Sequence, residues 1–297
     1  MCGIVGLFIR DPALEPRAGE LLAQMLGVMS DRGPDSAGFA IYQDAPAGTL
    51  KLTLRGTAQS LEGLADGLAA ALGAPVRAEP HDTHLVAQVP AAREAEARAW
   101  LAAHHPDVAV VGAGRRMEIY KEVGRPDDVA RRFALPRMSG SHGIGHTRMA
   151  TESAVTTRGA HPFSTGLDQC LVHNGSLSNH NSVRRTLQRE GLSFETENDS
   201  EVAAGYLTWR MRQGATLKEA LEASLGDLDG FYTFVVGAEN GFAVLRDPIA
   251  CKPAVMAETA RYVAFGSEYR ALAGLPGIEE ARVFEPEPAR VYAWERG

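Results

Sequence analysis

Cys2-Gly3-Ile4-Val5-Gly6-Leu7-Phe8-Ile9 opens the chain and decides how its fold is read. Residues 3–9 form a short apolar, β-rich run, which predicts a buried strand starting immediately after the cysteine. A terminus built on such a strand is anchored. Cys2 follows Met1, which methionine aminopeptidases remove when the next side chain is small. The exposed residue then carries a thiol nucleophile and, in its α-amino group, a base with a reference pKa of about 7.7–8.0.

Working outward, the 297 residues are 45% hydrophobic and 23% charged, an ordinary globular composition able to bury a sizeable core in one large domain or two small ones. The formal net charge of -7 gives no electrostatic reason to expect nucleic acid. Arg115-Arg116 and Arg131-Arg132 read as solvated faces. No stretch approaches the roughly 20 apolar residues of a membrane span, and the opening apolar run is too short for a secretory signal, so a cytoplasmic location is the expectation. Cys2, Cys170 and Cys251 are odd in number and widely spaced, without the pairing of a metal site or a disulfide framework. At least one thiol is expected free, and Cys170 and Cys251 read as buried, inert bystanders. His104-His105 lack a third ligand, and no metal is expected.

A helix is expected over about 18–30, where Leu21, Leu22, Met25, Leu26 and Met29 recur at spacings of three and four. Arg32-Gly33-Pro34-Asp35-Ser36-Ala37-Gly38 then forces a turn. Strands follow at about 37–42 and 49–55, and a helix near 59–72. From about 56 to 140 the pattern reads as an inserted α/β module: strand 83–89, helix 91–104, strands 108–112 and 117–123, and a short helix 127–133. Its Gly112-Ala113-Gly114 resembles a phosphate loop only loosely. The remainder is strand-rich, with runs at 143–149, 169–173, 231–237, 241–246, 261–265 and 281–293, and helices near 180–190, 199–213 and 217–225.

Three further segments can carry chemistry. Arg148, in Gly145-His146-Thr147-Arg148, can clamp a substrate carboxylate through paired hydrogen bonds, or form a surface ion pair. In His173-Asn174-Gly175 an Asn amide beside a Gly backbone N–H can serve a developing oxyanion, though an Asn-Gly turn between strands explains the same residues. Asp199, in Asn198-Asp199-Ser200-Glu201, offers a carboxylate for a substrate ammonium or caps a helix.

Taken together, Cys2-Gly3-Ile4-Val5-Gly6, Arg32-Gly33-Pro34-Asp35, Gly145-His146-Thr147-Arg148, His173-Asn174-Gly175 and Asn198-Asp199-Ser200-Glu201 resemble the class II glutamine amidotransferases, members of the N-terminal nucleophile hydrolases. Arg246-Asp247-Pro248 with Lys252-Pro253, and Gly266-Ser267-Glu268, extend the resemblance over nearly all the chain outside about 56–140. It implies an α+β, four-layer αββα sandwich over 2–297 with the α/β module inserted. It also implies roles: Cys2 as nucleophile, and Asn174 and the Gly175 amide as oxyanion hole. Arg148 and Thr151 would hold the glutamine α-carboxylate, and Asp199 with the Gly175 carbonyl the α-ammonium. His161 would line the pocket and Arg32 would stand near the nucleophile.

The second half, particularly residues 142–153 and Leu228-Asp229-Gly230-Phe231-Tyr232-Thr233-Phe234, is similar to glutamate-synthase-like amidotransferase subunits, and within these to the first subunit of N-methylglutamate synthase. That resemblance implies no cofactor in this chain, an FMN or other flavin in a partner synthase subunit, and a second partner with a β-helix. Two other readings stand beside it: a catalytically silent scaffold subunit, and an N-terminal nucleophile hydrolase acting on a different amide.

Overall fold

The run after Cys2 folds as β1 (Gly3–Ile9), buried along its whole length. The computed structural model describes residues 2–150 and 154–296. After β1 come α1 (Ala18–Val28), β2 (Ser36–Tyr42) and β3 (Thr49–Arg55), then α2 (Ala58–Leu61), α3 (Leu64–Leu72), β4 (Arg77–His81), β5 (His84–Pro90), α4 (Glu94–His104) and β6 (Ala109–Gly114). The chain continues through β7 (Met117–Val123), α5 (Pro126–Arg132), β8 (His142–Arg148), β9 (Phe163–Gly166) and β10 (Gln169–Leu177). Helices α6 (His180–Arg189), α7 (Asp199–Arg212) and α8 (Leu217–Asp227) precede β11 (Gly230–Ala238), β12 (Gly241–Arg246), β13 (Val255–Glu258), β14 (Tyr262–Gly266), β15 (Arg282–Phe284) and β16 (Val291–Glu295).

Among the described residues the strands form three sheets. The first runs β15-β13-β14-β1-β8-β2-β7, the second β16-β12-β11-β10-β9 and the third β4-β5-β3-β6. Alternation along each strand sends side chains to opposite faces and so determines what packs where. Ile4 and Phe8 of β1 meet Val172, Val235, Phe242 and Val244 between the first two sheets. Val5, Leu7 and Ile9 point the other way, onto Leu21, Leu22, Met25 and Leu26 of α1. On the far side, Leu171, Phe234, Val236 and Leu245 of the second sheet pack against Leu187, Val202, Leu207 and Leu221 of α6, α7 and α8. The layers are therefore helix, sheet, sheet, helix, the αββα sandwich of the N-terminal nucleophile hydrolases.

The third sheet, with α3 and α4, has a core of its own that includes Leu52, Leu54, Leu68, Leu85, Val89 and Leu101. It takes in residues 49–114, not 56–140. β3 pairs with β5 and β6, whereas β7 pairs with β2 and sends Met117 and Ile119 into the inter-sheet core. Gly112-Ala113-Gly114 lies in β6 and pairs with β3, so it is strand and not a phosphate loop. The β6–β7 turn is held by Asp168, whose carboxylate accepts from the amides of Arg115, Arg116 and Met117.

Other differences have local causes. The helix expected over 59–72 breaks at Glu62-Gly63 into α2 and α3. The run at 281–293 divides around Pro286 and Pro288, with β15 on the edge of the first sheet and β16 on that of the second. β4 and β9 carry little apolar pattern, and β13, though apolar, is only four residues long; all three become strands through pairing. No helix among the described residues is long and apolar enough to cross a membrane.

Two stability predictions follow from the core. A Cβ on Gly6 would lie 2.5 Å from Cε2 of Phe242, so only glycine lets the sheets close there. Gly6→Ala is expected to cost about 1–3 kcal/mol in urea unfolding, and visibly less in a Phe242→Leu background; an equal cost in both would contradict the contact. His142, stacked on Tyr42 between the sheets, donates through Nε2 to the Ala238 carbonyl, and burial pushes its pKa down to about 3. Burial does the same to His84, also to about 3. Their contribution is whole above the unfolded value of about 6.5, and is lost as pH falls from there toward 3, because the unfolded chain takes up protons the folded one refuses. Stability should fall by up to about 1.4 kcal/mol per pH unit for each ring between pH 6.5 and 5, and a flat urea midpoint over that range would contradict this.

Candidate active site

Cys2 is half-buried with a free thiol at the head of β1. Its carbonyl oxygen accepts from Arg32 Nε at 3.0 Å and from Asn174 Nδ2 at 3.3 Å. Two residues on, the Ile4 amide donates to Ser267 Oγ and the Ser267 amide returns a bond to the Ile4 carbonyl, each at 2.9 Å. Arg32 Nη1 pairs with Glu268 at 2.5 Å, and this guanidinium holds the Glu268 carboxyl below its ordinary range. Arg32 therefore stands beside Cys2, gripping its backbone.

Asn174-Gly175 is not a turn. β10 continues through both residues, with Asn174 opposite Thr233 and Gly175 opposite Tyr232 of β11. Gly175 has φ +151°, and a Cβ there would lie 2.0 Å from the Phe231 carbonyl oxygen, so the position admits only glycine. Asn174 is 4% exposed. A carboxamide anchored on Cys2, followed by a backbone N–H, is a pair of donors suited to a developing oxyanion.

Arg148 ends β8, the neighbour of β1, where Gly3 pairs with Thr147 and Ser36 of β2 with Arg148. The loop after Arg32 wraps this end: the Asp35 amide donates to the Arg148 carbonyl at 3.1 Å, and Asp35 Oδ2 accepts from the Ala150 amide at 2.8 Å. Arg148 is buried, and its Nη1 donates to the Ala154 carbonyl at 3.4 Å. Thr151 lies outside the described residues.

At the start of α7 the cap is Asn198, whose side chain accepts from the Ser200 amide. Asp199 instead reaches across to β10, accepting from the Leu177 amide at 2.9 Å, with Oδ1 3.8 Å from His173 Nδ1. Ser200 Oγ lies 2.8 Å from His161 Nε2 and 2.9 Å from His173 Nδ1. His146 stacks on His161 with ring centroids 3.9 Å apart and donates through Nε2 to the His173 carbonyl. Burial pushes the pKa of His146 down to about 3 and that of His161 well below its ordinary value, so these rings are neutral supports. His161 thus stands beneath Asp199, linked through Ser200.

Lys121 and Ser200 are positions that residue types alone do not single out. Lys121 Nζ donates to the carbonyls of Ala160 at 2.9 Å and Pro162 at 3.3 Å, bracketing His161. A run of charged residues, Glu118, Lys121 and Glu122, inside a strand whose other residues are Met, Ile, Tyr and Val is the signal that could have drawn attention to it. Cys170 is fully buried against Tyr42 and its thiol is pushed up to about 12, chiefly by burial. Cys251 is exposed, contrary to the buried position expected for it, because it stands in the irregular segment between β12 and β13. No group of three His, Cys, Asp or Glu among the described residues is placed to hold a metal ion.

A family model described as a glutamine amidotransferase domain matches residues 146–274. The glutamine amidotransferase-like protein GlxB of Rhizobium meliloti (strain 1021) is 63% identical over 297 residues, spanning 99% of this chain and 98% of its own. Glutamine–fructose-6-phosphate aminotransferase (isomerizing) of Aliivibrio fischeri is 37% identical over 129 residues, 43% of this chain and 21% of that enzyme. The structure of glutamine phosphoribosylpyrophosphate amidotransferase from B. subtilis shares the fold, with a TM-score of 0.62 at 20% identity, over 99% of this chain and 47% of that one. The end-to-end identity with GlxB, the matched domain and the shared sandwich place this chain in the class II glutamine amidotransferase family.

Proposed function

We propose that the chain hydrolyses L-glutamine to glutamate and ammonia through a γ-glutamyl thioester on Cys2. The observation that carries this reading is the bond from Asn174 Nδ2 to the Cys2 carbonyl, which brings a donor from the second sheet to the head of the first. With Met1 removed, the α-amino group takes the Sγ proton as sulfur attacks the carboxamide carbon. The carbonyl electron pair moves onto oxygen, where the second N–H of the Asn174 amide and the Gly175 N–H donate. Collapse of this adduct breaks the C–N bond, and nitrogen leaves as ammonia with that proton. Water then attacks the thioester, giving glutamate and restoring the thiol.

The substrate's fixed charges call for opposite partners on either side of this centre. Arg148, with Thr151, is the match for the α-carboxylate. Asp199 and the Gly175 carbonyl are the match for the α-ammonium, Asp199 being tied to β10 two residues beyond Gly175. Arg32 positions the nucleophile by holding its backbone. His161 supports Asp199 through Ser200.

The reading extends to an acceptor. Ammonia would pass to a glutamate-synthase-like complex, of the N-methylglutamate synthase kind, in which one partner carries a β-helix and another an FMN or related flavin. Support for this lies in the wording of residues 142–153 and Leu228–Phe234. Combining the chain with those two subunits and assaying glutamate and N-methylglutamate formed from glutamine, ammonia and methylamine tests it; product without either partner would overturn it.

For the glutaminase step, intact mass should lack one methionine residue. Cys2→Ala should abolish ammonia release, and Asn174→Ala should lower kcat by about 10²–10³-fold with KM little changed. Asp199→Ala should act mainly on KM for glutamine. Ammonia release by Cys2→Ala at the wild-type rate would reject the mechanism, and an inert wild-type chain that no glutamine-like electrophile labels at Cys2 would favour a silent scaffold.

A further inference from the structure

Away from Cys2, a cleft of about 1140 Å³ opens between the third sheet with α4 on one side and β9, β10 and α7 on the other. Its walls mix apolar surface, including Leu101, Val110, Phe163 and Met211, with Arg55, Lys121, Arg158 and Arg212. Polar and apolar surface are present in near-equal measure, so the cleft can meet both a charged head and an apolar body.

The cleft's cations, Arg55, Arg98, Lys121, Arg158 and Arg212, outnumber its acids, Glu94, Asp107, Glu195 and Glu201, by one, and Asp107 is exposed at the rim. Glu201 is occupied, its carboxylate accepting from the Glu195 amide, the Thr196 amide and the Thr196 hydroxyl. Glu94 is taken by Arg98 one helical turn along, and Glu195 lies 3.7 Å from Arg158. Arg55 and Arg212 form no ion pair among the described residues, and Arg55 Nε is buried without an acceptor. Lys121 Nζ is spent on the carbonyls of Ala160, Pro162 and Arg158, so it contributes charge to the wall.

A second, independent observation points the same way. Gln169 is 2% exposed and lines the cleft. Its Oε1 accepts from Thr208 Oγ1 at 2.9 Å, and Thr208 Oγ1 is 2.8 Å from Thr165 Oγ1, while its Nε2 has no acceptor. A buried amide donor left unmet costs free energy unless a ligand or water completes it. Unpaired guanidinium groups and an unmet amide N–H, all lining one cleft, are matched by an acceptor carrying negative charge.

We propose that this cleft binds a small organic anion, a carboxylate or a phosphate ester with an apolar body, at a site separate from the Cys2 centre. The proposal does not depend on the glutaminase reading. It does predict contact between the two sites, since Lys121 lines the cleft and also holds the carbonyls on either side of His161.

Calorimetric titration of the full chain with phthalate, phenyl phosphate, inorganic phosphate and neutral benzamide tests it. Phthalate or phenyl phosphate should bind, the stronger of the two naming the head group. Benzamide and inorganic phosphate should each bind roughly tenfold more weakly, one lacking the charge and the other the apolar body. Arg55→Gln and Arg212→Gln should each weaken the organic anion by roughly tenfold while leaving the thermal transition unchanged, and Arg290→Gln, far along the chain on an exposed face, should not. Saturating glutamine should not compete. Failure of both organic anions to bind, as expected if the cleft instead receives an acidic segment of a partner protein, would overturn the proposal. Equal affinity in wild type and in both arginine variants, or displacement by glutamine, would do so too.

Discussion

The carbonyl oxygen of Cys2 is the point on which this structure turns, because it receives Arg32 from the first sheet's side and Asn174 from the second sheet at once. Chain ends ordinarily fray, since few contacts offset the entropy of ordering them. Here β1 is paired on both edges, to β14 and β8, and packed on both faces, against α1 and against the second sheet. Cys2 is held because the sandwich closes around the strand that follows it. The same closure brings Asn174 within reach, so fold and site have a common cause.

Beneath that centre lies a layer of buried polar groups. Ser200 joins His161 to His173, His146 stacks on His161, and Lys121 fixes the carbonyls around His161. Burial keeps His146 and His161 uncharged. The bonds these groups make tie β8 to β10 and both β10 and His161 to the start of α7.

Much of this was legible in the residues. β1 showed itself as an unbroken apolar run, and α1 through its spacing of three and four, since both elements are buried on defined faces. Asn174-Gly175 misled as a turn: Asn-Gly is a strong local hairpin signal, and only the long-range pairing with β11 shows the strand running on. Residues 281–293 misled for the same reason, because which sheet each piece joins is decided by distant partners. The third sheet's limits, 49–114, depend on β3 turning away from β2 and β7 returning to it, which no local pattern encodes. Ser200 carried no signal of its own beyond its place beside Asp199, and Arg32 was placed near Cys2 by family resemblance and not by periodicity.

In the proposed reaction Cys2 is the residue acylated by glutamine. Rapid acid quench of the chain during turnover of isotopically labelled glutamine, followed by proteolysis and mass spectrometry, tests it directly. A labelled glutamyl group is expected on the peptide beginning at Cys2, absent from Cys2→Ala and accumulating when hydrolysis is slowed. A glutamyl adduct on Cys170 or Cys251 instead, or ammonia release with no adduct at any cysteine, would contradict it.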